Sequence, residues 1–138
     1  MRPVLNFLYS SLGKEVLSIT VNTILIITSV LVIFLFIKKR RKLMPIVLPL
    51  IIAIIFIKMI ERPEERIHFL EYGILGFLVF KAIGKEIKQI ILALIFIILI
   101  GSIDEFIQYL LPNRVGDVRD IIMNSIGGII GLWLGRFW

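Results

Sequence analysis

Between Gly101 and Gly131 the chain reads GSIDEFIQYLLPNRVGDVRDIIMNSIGGIIG, a span that holds Asp104, Glu105, Gln108, Arg114, Asp117, Arg119, Asp120 and Asn124. A second polar set, Glu64, His68, Glu71 and Tyr72, lies in PEERIHFLEYGILG. Carboxylates, a histidine and arginines within reach of one another suit proton transfer and anion binding. In that reading His68, Glu105 or Asp104 handles a proton, and Arg114 and Arg119 grip a phosphate or carboxylate through paired N–H donors. Gln108, Asn124, Asp120, Glu71 and Tyr72 supply further polar contacts. A metal would have to use His68 with carboxylates, an oxygen and nitrogen set suited to a hard or borderline divalent ion. The spacing is not diagnostic, so the metal and any other cofactor stay unknown. The chain has no cysteine, which removes thiol nucleophiles, thiolate metal sites and disulfides.

Each residue also has a plainer reading. A lone histidine in a helical bundle is more often a hydrogen-bonded structural residue than a base or a metal ligand. Asp117 and Asp120 sit where an N-cap and its N3 partner belong. Arg114 and Arg119 have Asp117, Asp120 or Glu105 available as ion-pair partners, and Asn124 has Asp104, Glu105 or Gln108 available for a helix-to-helix bond. Asp104 and Glu105 are adjacent and diverge by about 100° on a helix, so one faces the interior and the other a neighbour or the interface. The glycines belong to packing, because neither a P-loop nor a strand-linked GxGxxG is present.

The elements that must position these residues are membrane helices. Of 138 residues 59% are hydrophobic and 19% charged, with mean hydropathy +1.01, too apolar for a soluble domain of this size. The net charge of +6 does not point to nucleic acid, since the single run KKRRK, Lys38 to Lys42, supplies five of the 16 basic residues directly after an apolar helix. The expected fold is all-α: a single domain, 1–138, of about five transmembrane helices. Residues 1–15 form an N-terminal segment with no cleavage pattern, whose Val4, Leu5, Leu8 and Leu12 could line a short interfacial helix. The first two helices fill 16–60, Val16 to Ile37 and Leu43 to Ile60, the second with Pro45 at its start and a kink expected at Pro49. Pro63 opens a third helix to Ile83; a fourth runs from Ile87 to Leu111, where Pro112 stops it; a fifth runs from Val118 to Phe137.

Lysine and arginine counts put the KKRRK run, the connection with Lys81, Lys85 and Lys88, and Arg136 in the cytoplasm, leaving the N-terminus outside and the C-terminus inside. Measured from the outer ends at 1.5 Å per residue, His68, Glu71, Asp104, Glu105 and Asn124 all lie roughly 6–10 Å deep. Ionisable groups at such depth must face the bundle interior, a partner or water, so one outward-facing polar cavity between the last three helices is expected. Spacings of three and four make one face of Glu64, His68, Glu71 and Tyr72, and another of Asp117, Asp120 and Asn124. The latter continues into Gly127, Gly131 and Gly135, a small-xxx-small stripe for close approach to a neighbouring helix or a second copy.

The segments EERIHFLEYGILGFL and DEFIQYLLPNRVGDVRDIIMNSIGGIIG together resemble the VanZ-like family of bacterial membrane proteins. The resemblance rests on His68, Phe69, Tyr72 and Gly76 in one and Glu105, Gln108, Pro112, Arg114, Asp120, Asn124 and Gly127 in the other. It covers Glu64 to Gly131, within the three helices of 63–138; the first two helices carry no motif. It implies a small multi-span protein of the cytoplasmic membrane with a bearing on the cell envelope or glycopeptide resistance, and marks His68, Glu105, Gln108, Arg114, Asp120 and Asn124 as family positions. Two functions follow as expectations. One is an enzyme acting on an anionic lipid-linked envelope precursor; the other is a non-catalytic accessory protein or scaffold that binds a lipid or a lipophilic glycopeptide. A proton-coupled transporter is disfavoured, since the first two spans lack acids and the chain is small.

Overall fold

The structure, a computed structural model, describes residues 2–60, 62–111 and 118–138, and every regular element among them is a helix. In order they are α1 (Arg2–Lys38), α2 (Met44–Met59), α3 (Pro63–Ile83), α4 (Ile87–Leu110) and α5 (Val118–Phe137). The N-terminal segment is helical and joins the first span through a break at Gly13, whose φ of 77° and ψ of 153° favour glycine. The side chains of Val4, Leu5, Leu8 and Glu64 lie outside the described residues, as do Pro112, Arg114 and Asp117.

Local chemistry accounts for the helix ends. Pro45 and Pro63 sit in first turns, where the missing N–H costs no helical bond. Gly84 ends α3 at φ 116°, and Glu86 N-caps α4 while its own N–H donates to Gln89 Oε1 at 3.0 Å. Along α1 the hydroxyls of Thr20, Thr23, Thr28 and Ser29 donate to carbonyls four residues back at 2.8–2.9 Å, which satisfies them without water.

The bundle is built on α3 and α5, its most extensive helix pair. Gly127 faces the Phe69 carbonyl, Gly131 the Gly73 carbonyl and Gly76 the Gly128 carbonyl, so the two backbones touch where any side chain would hold them apart. The glycine face expected to meet a neighbour therefore meets α3 of the same chain, and a second copy would have to displace α3 to use it. α4 lies across the pair with Ile97 seated on Gly128, in a core of Tyr72, Phe80, Ala93, Ile97 and Leu132. α1 packs mainly on α3, and α2 on α5.

Aromatic contacts place the basic ends together. Trp138 meets Phe36 of α1 at 5.2 Å and Phe77 of α3 at 6.0 Å between ring centroids, with Lys39 Nζ 3.9 Å from its ring. Trp133 Nε1 donates to the Pro45 carbonyl at 2.6 Å, bringing the start of α2 to the same end. The KKRRK run, the end of α3 and the end of α5 thus share one side of the bundle, as alternating helices require. Much of the outer surface is large and apolar, including Ile26, Ile27, Leu99 and Phe106, a surface that lipid covers better than water. Among the described residues two helices are long and apolar enough to cross a membrane, Tyr9–Lys38 and Ile87–Leu110, and α2 is a shorter apolar helix.

Candidate functional site

Among the described residues three polar or charged side chains are buried inside this apolar bundle: Glu105 (5% exposed) and Gln108 (7%) on α4, and Asn124 (3%) on α5. Glu105 and Gln108 lie three residues apart and so turn the same face of α4 toward α5 and α3. Asn124 and Tyr72 both lie beside Gly101 of α4, at ordinary contact distance from where its Cβ would stand. Tyr72 itself is 6% exposed, and the carboxylates of Asp104, Glu105 and Glu71 all lie within Coulombic reach of its hydroxyl. The adjacent acids divide as helical geometry requires. Glu105 turns inward, while half-buried Asp104 accepts a bond from Gln108 Nε2 at 3.1 Å.

Nearer the start of α3, Arg119 of α5 donates to Glu65 at 2.9 Å, and Arg62 lies 3.7 Å from the other oxygen of the same carboxylate. Asp120 stands close enough to act on that carboxylate, and its own side chain is engaged within the chain. Arg119 thus has a partner on α3, in addition to the acids of α4 and α5 available to it by spacing. His68 Nδ1 lies 3.2 Å from Glu71 Oε2.

Two expectations need correction. Glu71 and Tyr72 do not share a face, because successive helical residues diverge by about 100°: the Glu71 side chain is 60% exposed and Tyr72 is buried. Among the described residues, Glu105, Gln108 and Asn124 are buried between the helices rather than exposed along an open wall, with α3 and α5 in backbone contact at Gly127 and Gly131. Arg114 and Asp117 lie outside the described residues. Among the described residues no three His, Asp or Glu side chains gather as a metal ion would need.

A family model described as VanZ/LLP1 matches residues 7–138. The chain belongs to that family. No curated protein and no solved structure matches it. The VanZ/LLP1 match takes in α1 and α2 as well as the motif-bearing α3–α5, so the family unit is nearly the whole chain rather than its second half. Family membership and the two long apolar helices fit a membrane protein.

The helix α1 of this VanZ-family chain is tied into the site region by a residue that loop-charge counting hides. Arg66 Nε donates to the Ile60 carbonyl at 2.9 Å, and its NH1 donates to Asn22 Oδ1 at 2.9 Å and Ser18 Oγ at 3.1 Å. Ser18 and Asn22, four apart in a span otherwise relieved only by serine and threonine, were the available signal for a polar partner from another helix.

Proposed function

We propose that this VanZ-family protein is a multi-pass protein of the bacterial cytoplasmic membrane, with its N-terminus outside, that engages an anionic lipid-linked envelope precursor at the outer end of α3, α4 and α5 and so bears on glycopeptide resistance. The observation that carries the reading is the convergence of Glu105, Gln108, Asn124 and Tyr72 from three helices at one level of an apolar bundle. Polar groups are expensive to keep at such a level and are retained where they recognise or move something polar. Arg119, half exposed beside Glu65 and Asp120, is a cation that an incoming anion can recruit, and His68 and Glu105 are the groups able to accept a proton. A second reading, a non-catalytic accessory scaffold, is favoured by one feature: Arg119, Gln108 and His68 already have partners within the chain.

The test compares folding with function. His68→Gln and Glu105→Gln keep approximate volume and hydrogen-bonding capacity. If the site binds or transforms a ligand, both should melt within a few degrees of wild type yet lose the glycopeptide-susceptibility phenotype in cells. If the residues are structural, melting temperature and phenotype should fall together, because removing one member of a buried polar network strands its partners at about 1–3 kcal/mol each. Stable variants with full activity would refute the site.

Orientation is tested separately. The chain has no cysteine, so single cysteines at Asn113 and Lys85 report cleanly. A membrane-impermeant thiol reagent should label intact cells at Asn113→Cys and leave Lys85→Cys unlabelled. The reverse pattern would move the α3–α5 site to the cytoplasm.

A further inference from the structure

On the far side of the α3–α5 contact from Glu105 lies a half-open cavity of about 330 Å3, bordered by α1 and α2 and floored by Gly73 and Gly127. The cavity follows from the fold: the glycines that let α3 and α5 touch put no side chains into the space, and α1 and α2 pack on different members of the pair. Its wall is apolar except for Thr28 and Ser29, whose hydroxyls are already bonded at 2.8 Å to carbonyls of their own helix. At one end its mouth is lined by Phe36, Phe77 and Trp138, and the rim there is cationic. Lys39 Nζ sits 3.9 Å from the Trp138 ring and Lys81 Nζ 5.6 Å from Phe77, with Lys85 and Arg41 in Coulombic reach of Lys81.

We propose that this cavity holds one acyl chain of an anionic phospholipid, taken from the leaflet that the KKRRK run faces, with the lipid phosphate resting on the Lys39 and Lys81 rim. Water is a poor occupant, because an apolar wall offers it no partners, and an empty cavity of this size forfeits the dispersion contacts of its whole lining. In a bilayer an unbranched hydrocarbon chain is the apolar material at hand, and the lysines at the rim are what a phospholipid head group would meet. The rim selects the head group, since each lysine near an anionic lipid contributes about 1 kcal/mol, roughly fivefold in affinity. Trp138 at the mouth has the amphipathic ring that sits well at head-group level. None of the residues in the proposed α3–α5 site takes part, so the two readings stand or fall separately.

Trp138 supplies the readout. In Trp133→Phe protein it is the remaining tryptophan of two, and the protein is reconstituted into phosphatidylcholine vesicles doped with either phosphatidylglycerol or phosphatidylcholine carrying brominated acyl chains. Brominated phosphatidylglycerol should reach half-maximal quenching at a mole fraction at least tenfold lower than brominated phosphatidylcholine. Lys39→Gln with Lys81→Gln should bring the two lipids to parity, consistent with about fivefold per lysine. Ala53→Phe, which fills the cavity from α2, should weaken quenching by phosphatidylglycerol at least tenfold, and Ser29→Leu, which fills it from α1, repeats the test should the first variant fail to fold. Equal quenching by the two lipids in the parent protein, a preference that survives loss of both lysines, or quenching unchanged by the filling variant would each overturn the proposal.

Discussion

Gly131→Ala is expected to lower the melting temperature of the detergent-solubilised protein, and Gly73→Ala to raise it, although the two glycines lie against each other in one interface. A methyl at Gly131 would run into the Gly73 carbonyl and the Phe77 amide nitrogen, both backbone atoms that no rotamer change can clear. Overpacking of this kind costs about 1–3 kcal/mol, occasionally more, and exceeds the roughly 0.5–1 kcal/mol that alanine contributes over glycine in a helix interior. A methyl at Gly73 meets its nearest neighbour, the Gly127 carbonyl, at 3.6 Å, an ordinary contact, so there the helix-propensity gain prevails. Thermal melts of the two variants beside wild type read the sign directly. Melting temperatures that rise in both would mean that the α3 and α5 backbones are not in contact. A loss in Gly131→Ala that deepens on dilution would instead assign this face to a second copy, since only an association equilibrium depends on concentration.

That pair of substitutions also marks how far the sequence reaches. The stripe Gly127, Gly131, Gly135 is legible because it repeats every four residues, one helical face, and Gly135 does lie against Phe80 of α3. Its partner is not legible: Gly73 and Gly76 are three apart inside a segment already noticed for His68 and Tyr72, and nothing local pairs them with α5. The bounds of α2 to α5 were readable to within a residue or so because Pro63, Gly84 and Pro45 are local signals, whereas α1 begins at Arg2 rather than Val16, with its break at Gly13. Long-range choices were not. Glu65 looks like a first-turn acid until Arg119, 54 residues later, comes beside it. Depth arithmetic put Glu105 and Asn124 at a common level and both are buried, yet whether helices enclose a cavity there or close it depends on the diameter of their contact, which spacing does not encode. The apolar cavity between α1 and α2 was invisible for the same reason.

Arg66→Met is expected to loosen α1 from the rest of the bundle, with a stability loss of about 2–4 kcal/mol, because hydrogen bonds to a charged donor are worth more than neutral ones and three acceptors lose their partner at once. Methionine keeps an unbranched stem, so packing changes little and the loss reports the guanidinium. The acceptors come from different elements: Ser18 and Asn22 on α1, and Ile60 just past α2. In lipid no water replaces a lost donor for Asn22, which is what makes one cation able to hold a helix whose threonine hydroxyls bond within itself. Arg66→Lys is expected to recover only part of the loss, since a single ammonium cannot present separate donors in the fixed fork that reaches both Ile60 and Asn22. Asn22→Leu removes one acceptor and replaces it with a side chain suited to lipid, so alone it should cost less than Arg66→Met. A double-mutant cycle between Asn22→Leu and Arg66→Met then isolates the interhelical bond, with a coupling of roughly 1–2 kcal/mol expected within a membrane bundle. Additive effects would show that α1 is held by apolar contact with α3 alone, and that Arg66 serves the turn around Ile60 rather than the junction of the helices.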